Sequence, residues 1–116
     1  MIKIYHNPRC RKSRETLKLI EESGEPFQIF EYLKEPLTAT ELGRVVEMLG
    51  IEPQALVRKN EAAWKDHYRG KELSGSEILK ATETYPNLME RPVVVKGEKA
   101  VLGRPPENVL SLLKPG

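Results

Sequence analysis

The chain opens on alternating apolar positions. Ile2 and Ile4, with Tyr5 following, predict a short buried strand that breaks at His6-Asn7-Pro8, because proline donates nothing to a sheet ladder and restricts the residue before it. From Arg11 to Glu22 the period lengthens to a helical one, with Ser13, Leu17, Ile20 and Gly24 on one stripe and Leu19 off it, so two faces of the helix are covered. Phe27 to Tyr32 is rich in aromatic and β-branched residues and predicts a second strand. The helix of about a dozen residues between the two strands makes them parallel, a β-α-β unit.

Thr38-x-x-Glu41 then forms a capping box, followed by Leu42, Val45, Val46 and Leu49 at helical spacing and Gly50 as a stop. Pro53 opens a short helix through Val57, and Ala62 to Tyr68 predicts another before Gly70. Ser74-x-x-Glu77 is a second capping box, whose helix turns Ile78, Thr82 and Tyr85 inward and stops before Pro86. Val93-Val94-Val95 and Ala100-Val101-Leu102 flank the turn Lys96-Gly97-Glu98-Lys99 and read as an antiparallel hairpin. Pro105 and Pro106 start a last helix with Val109, Leu112 and Leu113 facing the core. The order β-α-β, helices, β-β-α is that of an α/β thioredoxin-like mixed sheet. The expectation is one domain over residues 1–116 with a helical insertion at about 38–86.

Composition narrows the setting. Hydrophobic residues at 39% and charged residues at 31% describe a globular chain, and 116 residues support one modest core without disulfides or metals. A net charge of +2 is too small for a general nucleic-acid or membrane binder. The N-terminus lacks the apolar core of a signal peptide, and no apolar run approaches the roughly 20 residues of a membrane span, so the expected location is cytoplasmic. With no large apolar face apparent, a monomer is expected.

The single cysteine, Cys10, has no internal disulfide partner and sits among Lys3, Arg9, Arg11, Lys12 and Arg14, with no acidic residue between Met1 and Arg14. It falls just before or at the N-terminus of the first helix, where unpaired backbone N–H groups and the positive dipole end favour a thiolate. The neighbouring cations, and His6 when protonated, would lower the thiol pKa further. The same groups would bind an oxyanion beside the sulfur. A lone cysteine is more often an inert core residue, but Pro8-Arg9-Cys10-Arg11-Lys12 is a poor sequence to bury. A metal site would need four ligands, and beyond His6 and Cys10 only His67 remains, without a spaced partner, so no metal is expected.

The run Tyr5-His6-Asn7-Pro8-Arg9-Cys10-x-x-Ser13-Arg14 resembles the glutaredoxin-coupled arsenate reductases, whose pattern is Tyr-His-Asn-Pro-x-Cys-x-x-Ser-Arg. The resemblance continues through Leu56-Val57-Arg58-Lys59-Asn60, Glu90-Arg91-Pro92-Val93-Val94-Val95 and Gly103-Arg104-Pro105-Pro106-Glu107, nearly end to end. It implies that Cys10 is the nucleophile, that His6 and Ser13 help lower its pKa, with Arg14 part of the same catalytic motif, and that Arg58, Arg91 and Arg104 converge on the oxyanion. Without the resemblance these arginines would read as surface charge. It also implies a cis Arg91–Pro92 peptide near the sulfur, where the alternative is a trans proline starting an edge strand. Arg11 and Lys12 stand where the best-characterised reductases carry small residues. Arg11 is therefore an added candidate substrate ligand, for arsenate or for a larger anion.

The chemistry so implied is attack of the Cys10 thiolate on arsenate, with no bound cofactor, glutathione as co-substrate and glutaredoxin as the partner that clears the Cys10-glutathione disulfide. One rival keeps the fold and acts as a thiol reductase or transferase on another anionic or glutathione-linked substrate. Another is a non-enzymatic stress regulator that binds RNA polymerase. Such regulators typically carry Cys-x-x-Cys, and Ser13 at the second position excludes that disulfide switch here.

Overall fold

The computed structural model describes residues 1–113; the last three residues of the expected domain, 114–116, lie outside the described residues. The chain forms two compact units. One comprises Met1–Glu35 together with the chain from Arg91 onward, and the other is Pro36–Glu90.

The first unit is built on a four-stranded mixed sheet. Its strands are β1 (Ile2–His6), β2 (Phe27–Glu31), β3 (Val93–Lys96) and β4 (Lys99–Leu102), in the order β2-β1-β3-β4. β1 runs parallel to β2 and antiparallel to β3, and β3 runs antiparallel to β4, which is the thioredoxin-like arrangement. Helix α1 (Arg11–Ser23) joins β1 to β2 and stops at Gly24, whose φ of 75° supplies the left-handed turn. Ile2 and Ile4 from β1, Ile20 from α1, Val94 from β3, and Val109 and Leu112 near the C-terminus form one buried cluster. Alternation along β1 sends Ile2, Ile4 and His6 to this side, so the same pleat that buries two isoleucines also buries His6.

Two expectations change in this unit. Lys96 and Lys99 pair within the ladder, leaving only Gly97-Glu98 as the turn. Gly97 takes a φ of 63° while no non-glycine residue among the described residues has positive φ, which fits the tight hairpin turn with glycine in its first central position. The last helix is a 3-10 helix, Pro106–Ser111, not an α-helix. Asn108 Nδ2 donates to the carbonyls of Leu102 and Arg104 at 3.1 and 3.2 Å, tying this short turn back to the end of β4. At the other end of the sheet, Lys96 Nζ bonds Glu25 at 2.6 Å and the Leu112 carbonyl at 3.0 Å.

The second unit is helical: α2 (Ala39–Leu49), a 3-10 turn (Pro53–Leu56), α3 (Ala62–His67), α4 (Gly75–Thr84) and a second 3-10 turn (Pro86–Leu88). Both capping boxes form, Thr38 with Glu41 and Ser74 with Glu77. Leu42, Val45 and Val46 are buried on α2, and Ile78, Ala81 and Thr82 on α4; Leu49 and Tyr85, expected inside, are only partly covered. Val57, Trp64, Ile78, Ala81 and Leu88 form this unit's own core. His67 stacks on Tyr85 with ring centroids 4.8 Å apart, a packing role. No helix among the described residues is long and apolar enough to cross a membrane.

Candidate active site

Cys10 is the N-cap residue of α1, in an extended conformation with φ −92° and ψ 123°. A turn places it there: its N–H donates to the Asn7 carbonyl at 2.9 Å, the Arg9 N–H donates to Asn7 Oδ1 at 3.0 Å, and Arg14 Nη1 donates to the Pro8 carbonyl at 3.0 Å. Arg14 thus fastens the loop that carries the sulfur.

Burial by itself pushes the Cys10 thiol up, yet its pKa lies below the ordinary cysteine value. The backbone amide of Ser13 pulls it down, followed by the charge of Arg91, a hydrogen bond from Arg91 and the backbone amide of Lys12. The sulfur closes no side-chain cap of ordinary hydrogen-bond geometry, so the two amides act as nearby positive poles more than as well-formed bonds.

Local basic residues contribute less than their sequence positions suggested. Arg11 is turned to Glu15 on the exposed face of α1, at 2.8 Å, and is not brought to the sulfur. Arg9 and Lys12 are exposed. The charge at the sulfur comes from Arg91 because of sheet register. Tyr5 pairs with Val93 at the end of the β1–β3 ladder, so Arg91, two residues before Val93, leaves the sheet at the same end as the loop that leads from β1 to Cys10. The β3–β4 ladder, with Val93 opposite Leu102, brings Arg104 alongside in the same way. Arg104 Nη1 lies 4.0 Å from Cys10 Sγ and 3.4 Å from the Arg91 carbonyl. Two nitrogens of the Arg91 guanidinium, Nε and Nη1, are buried and have no hydrogen-bond partner among the described residues.

His6 corrects one expectation. It is 6% exposed, and burial is the main cause that lowers its pKa, with Glu31 opposing and Arg14 assisting. Near neutral pH it is uncharged and adds no cation to the site. Its Nδ1 lies 2.6 Å from Ser13 Oγ, which also accepts the Asn7 N–H at 3.0 Å. The Ser13 hydroxyl is fully buried, so its proton needs an acceptor, and Nδ1 is the one at hand. This hydrogen-bond count assigns the imidazole proton to Nε2. His6 and Ser13 therefore hold the strand-to-helix loop in shape, and the Ser13 amide reaches the sulfur as a consequence.

Arg58 lies in the helical unit. Its guanidinium is engaged by Glu61 and by Glu90, the latter at 3.3 Å, and its N–H donates to the Leu88 carbonyl at 2.7 Å. The Arg91–Pro92 peptide is cis, and so is Arg104–Pro105, which the sequence did not suggest.

Two positioning residues escaped the sequence reading. Gly103 N–H donates to the Pro92 carbonyl at 2.9 Å, and a Cβ on Gly103 would fall 2.5 Å from Thr16 Oγ1 and 2.8 Å from Pro92 Cγ. Thr16 is fully buried in α1, with its hydroxyl 2.8 Å from the Lys12 carbonyl and 3.3 Å from that of Gly103. This close approach sets the strand end that bears Arg104 against the helix that bears Cys10. Gly103→Ala is expected to destabilise the protein by about 1–3 kcal/mol through overpacking against Thr16 and Pro92, and to weaken the arsenate dependence of turnover as Arg104 shifts. Thermal denaturation and the KM for arsenate measure the two effects. Its only sequence signal was a glycine standing directly before a motif arginine.

A thioredoxin-like sheet that sets a thiol of lowered pKa at a helix N-terminus, beside the Arg91 guanidinium, defines the chain as a thiol protein of thioredoxin-like fold. The ArsC family model matches residues 5–112, and the chain belongs to that family. It is 41% identical over 112 residues to an arsenate reductase of Haemophilus influenzae, covering 95% of this chain and 97% of the relative. It is 42% identical over 114 residues to the uncharacterized protein YfgD of Escherichia coli K12, covering 97% and 96%. Among solved structures, the arsenate reductase from Vibrio cholerae superposes with a TM-score of 0.92 at 42% identity, covering 97% of each chain.

Proposed function

We propose that the protein is an arsenate reductase that uses Cys10 as nucleophile and an external thiol as reductant. The observation that carries this reading is the Arg91 guanidinium, which lies beside a lowered-pKa thiol while two of its buried nitrogens lack hydrogen-bond partners among the described residues. Leaving buried donors unpaired is costly, and an oxyanion with several acceptor oxygens supplies what they lack. Arg104, on the same side of the sulfur, adds a second guanidinium for the charge that gathers on oxygen.

In the first step the Cys10 sulfur displaces one oxygen from dihydrogen arsenate. A sulfur–arsenic bond forms as the thiolate attacks, an arsenic–oxygen bond breaks, and the oxygen leaves as water with the two hydrogens that dihydrogen arsenate carried. In the second, a glutathione thiol attacks the Cys10 sulfur. The electron pair of the sulfur–arsenic bond stays on arsenic, which leaves as arsenite, and a Cys10-glutathione disulfide remains. Arsenic is reduced by two electrons and the two sulfurs are oxidised by one each. The chain has one cysteine, so the disulfide is resolved from outside, by glutaredoxin in this proposal. The proposed setting is the cytoplasm, where thiols are kept reduced.

The test is arsenate-dependent consumption of reducing equivalents by the native protein in a coupled glutathione and glutaredoxin assay, with mass spectrometry of the stalled enzyme when glutaredoxin is withheld. Turnover, with a glutathione adduct on Cys10, is expected. No turnover, with Cys10 still alkylated quickly at neutral pH, would transfer the chemistry to another thiol-reactive substrate.

A further inference from the structure

The first unit carries a cleft of about 260 Å³ on the flank of the Cys10 loop. Asn7, Pro8 and Arg9 form one wall, Glu31, Leu33 and Lys34 the other, and His6 lines it as well. Both walls belong to the C-terminal end of the parallel β1–β2 pair, where thiol chemistry is placed by α1. One wall is the segment that ends in Cys10, and its far side is fastened by the Asn7, Ser13 and Arg14 hydrogen bonds already described.

The lining has a definite charge pattern. Arg9 is exposed and no acidic side chain pairs with it among the described residues. Lys34 lies 3.6 Å from Glu31 in a solvent-exposed pair, which binds weakly and can be opened by a competing carboxylate. Pro8 and the 38% exposed Leu33 give apolar surface between these charges. The volume lies just below the usual range of about 300–1,000 Å³ for small-molecule sites and suits a short ligand that stays partly in solvent.

We infer that this cleft seats the thiol reductant, and that it selects a small peptide thiol carrying two carboxylates and one ammonium, the charge pattern of glutathione. Arg9 and Lys34 take the carboxylates and Glu31 takes the ammonium. Arg91 and Arg104 approach the sulfur from the β3–β4 side, and the cleft borders its loop from the β2 side, so oxyanion and thiol do not compete for the same cations. The assignment rests on the reductase reading for its thiol step, but binding in the cleft is measured without any arsenic chemistry.

The experiment is a titration of the native protein with S-methylglutathione, which cannot exchange disulfides, followed by backbone amide NMR. It is repeated on Lys34→Glu and Lys34→Arg, and the KM for glutathione and for 2-mercaptoethanol is measured on all three proteins. The expected result is shifts at residues 6–9 and 31–34. Lys34→Glu should weaken binding and raise the KM for glutathione on the order of tenfold, Lys34→Arg should retain both, and the KM for the uncharged thiol should not move. Turnover with glutathione accompanied by shifts elsewhere, or by none, overturns the cleft and leaves the reductase reading standing. Normal shifts without arsenate turnover overturn the reductase reading and leave the cleft as a peptide-thiol site.

Discussion

Cys10→Ser is expected to bind arsenate and to reduce none of it. Serine keeps the N-cap position, the α1 amides and both arginines, but its hydroxyl is not ionised where the thiol is, so the attacking anion disappears. Loss of a nucleophile acts on the scale of about 10⁴-fold or more in turnover. Binding has the opposite expectation. A neutral hydroxyl replaces a thiolate beside an anionic ligand, removing a like-charge repulsion, so affinity for arsenate is retained or tightened. Calorimetric titration of the variant with arsenate, set beside the coupled assay, separates the two. Residual turnover in Cys10→Ser would place the chemistry elsewhere.

The second large effect concerns Arg91. Arg91→Ala removes both the charge that lowers the Cys10 pKa and the buried donors aimed at the oxyanion. A loss of about 10²–10³ in kcat/KM for arsenate is expected, the range found when a preorganised oxyanion donor is deleted. The pH dependence changes in a definite direction. In the native protein the thiolate exists above a depressed pKa, and alkylation by iodoacetamide slows as pH falls through it. In Arg91→Ala that fall begins at a higher pH, because burial, which raises the pKa, is then opposed by the α1 amides without the cation. Stability behaves differently: an incompletely paired buried guanidinium is a cost to the ligand-free protein, so Arg91→Ala should melt at the native temperature or above it. A variant that melted well below the native protein would identify Arg91 as structural.

Much of the fold is written locally. Thr38-x-x-Glu41 and Ser74-x-x-Glu77 announce α2 and α4 because a capping box is a short-range device, complete within four residues. The β-α-β opening is legible for the same reason, since proline, the helix period and glycine at 24 each act on near neighbours. The active site is legible at Cys10 and much less so around it. Side chains on the first turn of α1 point in different directions, so Ser13 is buried while Arg11, adjacent to Cys10 in sequence, meets Glu15 and solvent, and Arg91 arrives from the segment that leads into β3. Pairing across a sheet depends on which residues lie opposite, and no local pattern encodes that. His6 adds charge only when protonated, and its place as the last position of β1 on the buried side of the pleat, which disfavours that form, depends on where the strand ends and not on any local motif. Thr16 and Gly103 are invisible in isolation because their meaning is a distance between two distant segments.

The Lys96 ammonium sits at the opposite end of the sheet from the sulfur, one β1 length away. Ile2 pairs with Lys96, whereas Tyr5 pairs with Val93, so the two pairs are separated by roughly 10 Å of strand. One lysine there gathers the approach to β2, the end of β3 and the final turn of the described chain. The sheet has in effect a reactive rim and a mooring rim, joined by rigid pleat and sharing no side chain. Sequence drift at the mooring rim can retune how firmly the molecule holds together while the ionisation of the thiol stays where it is.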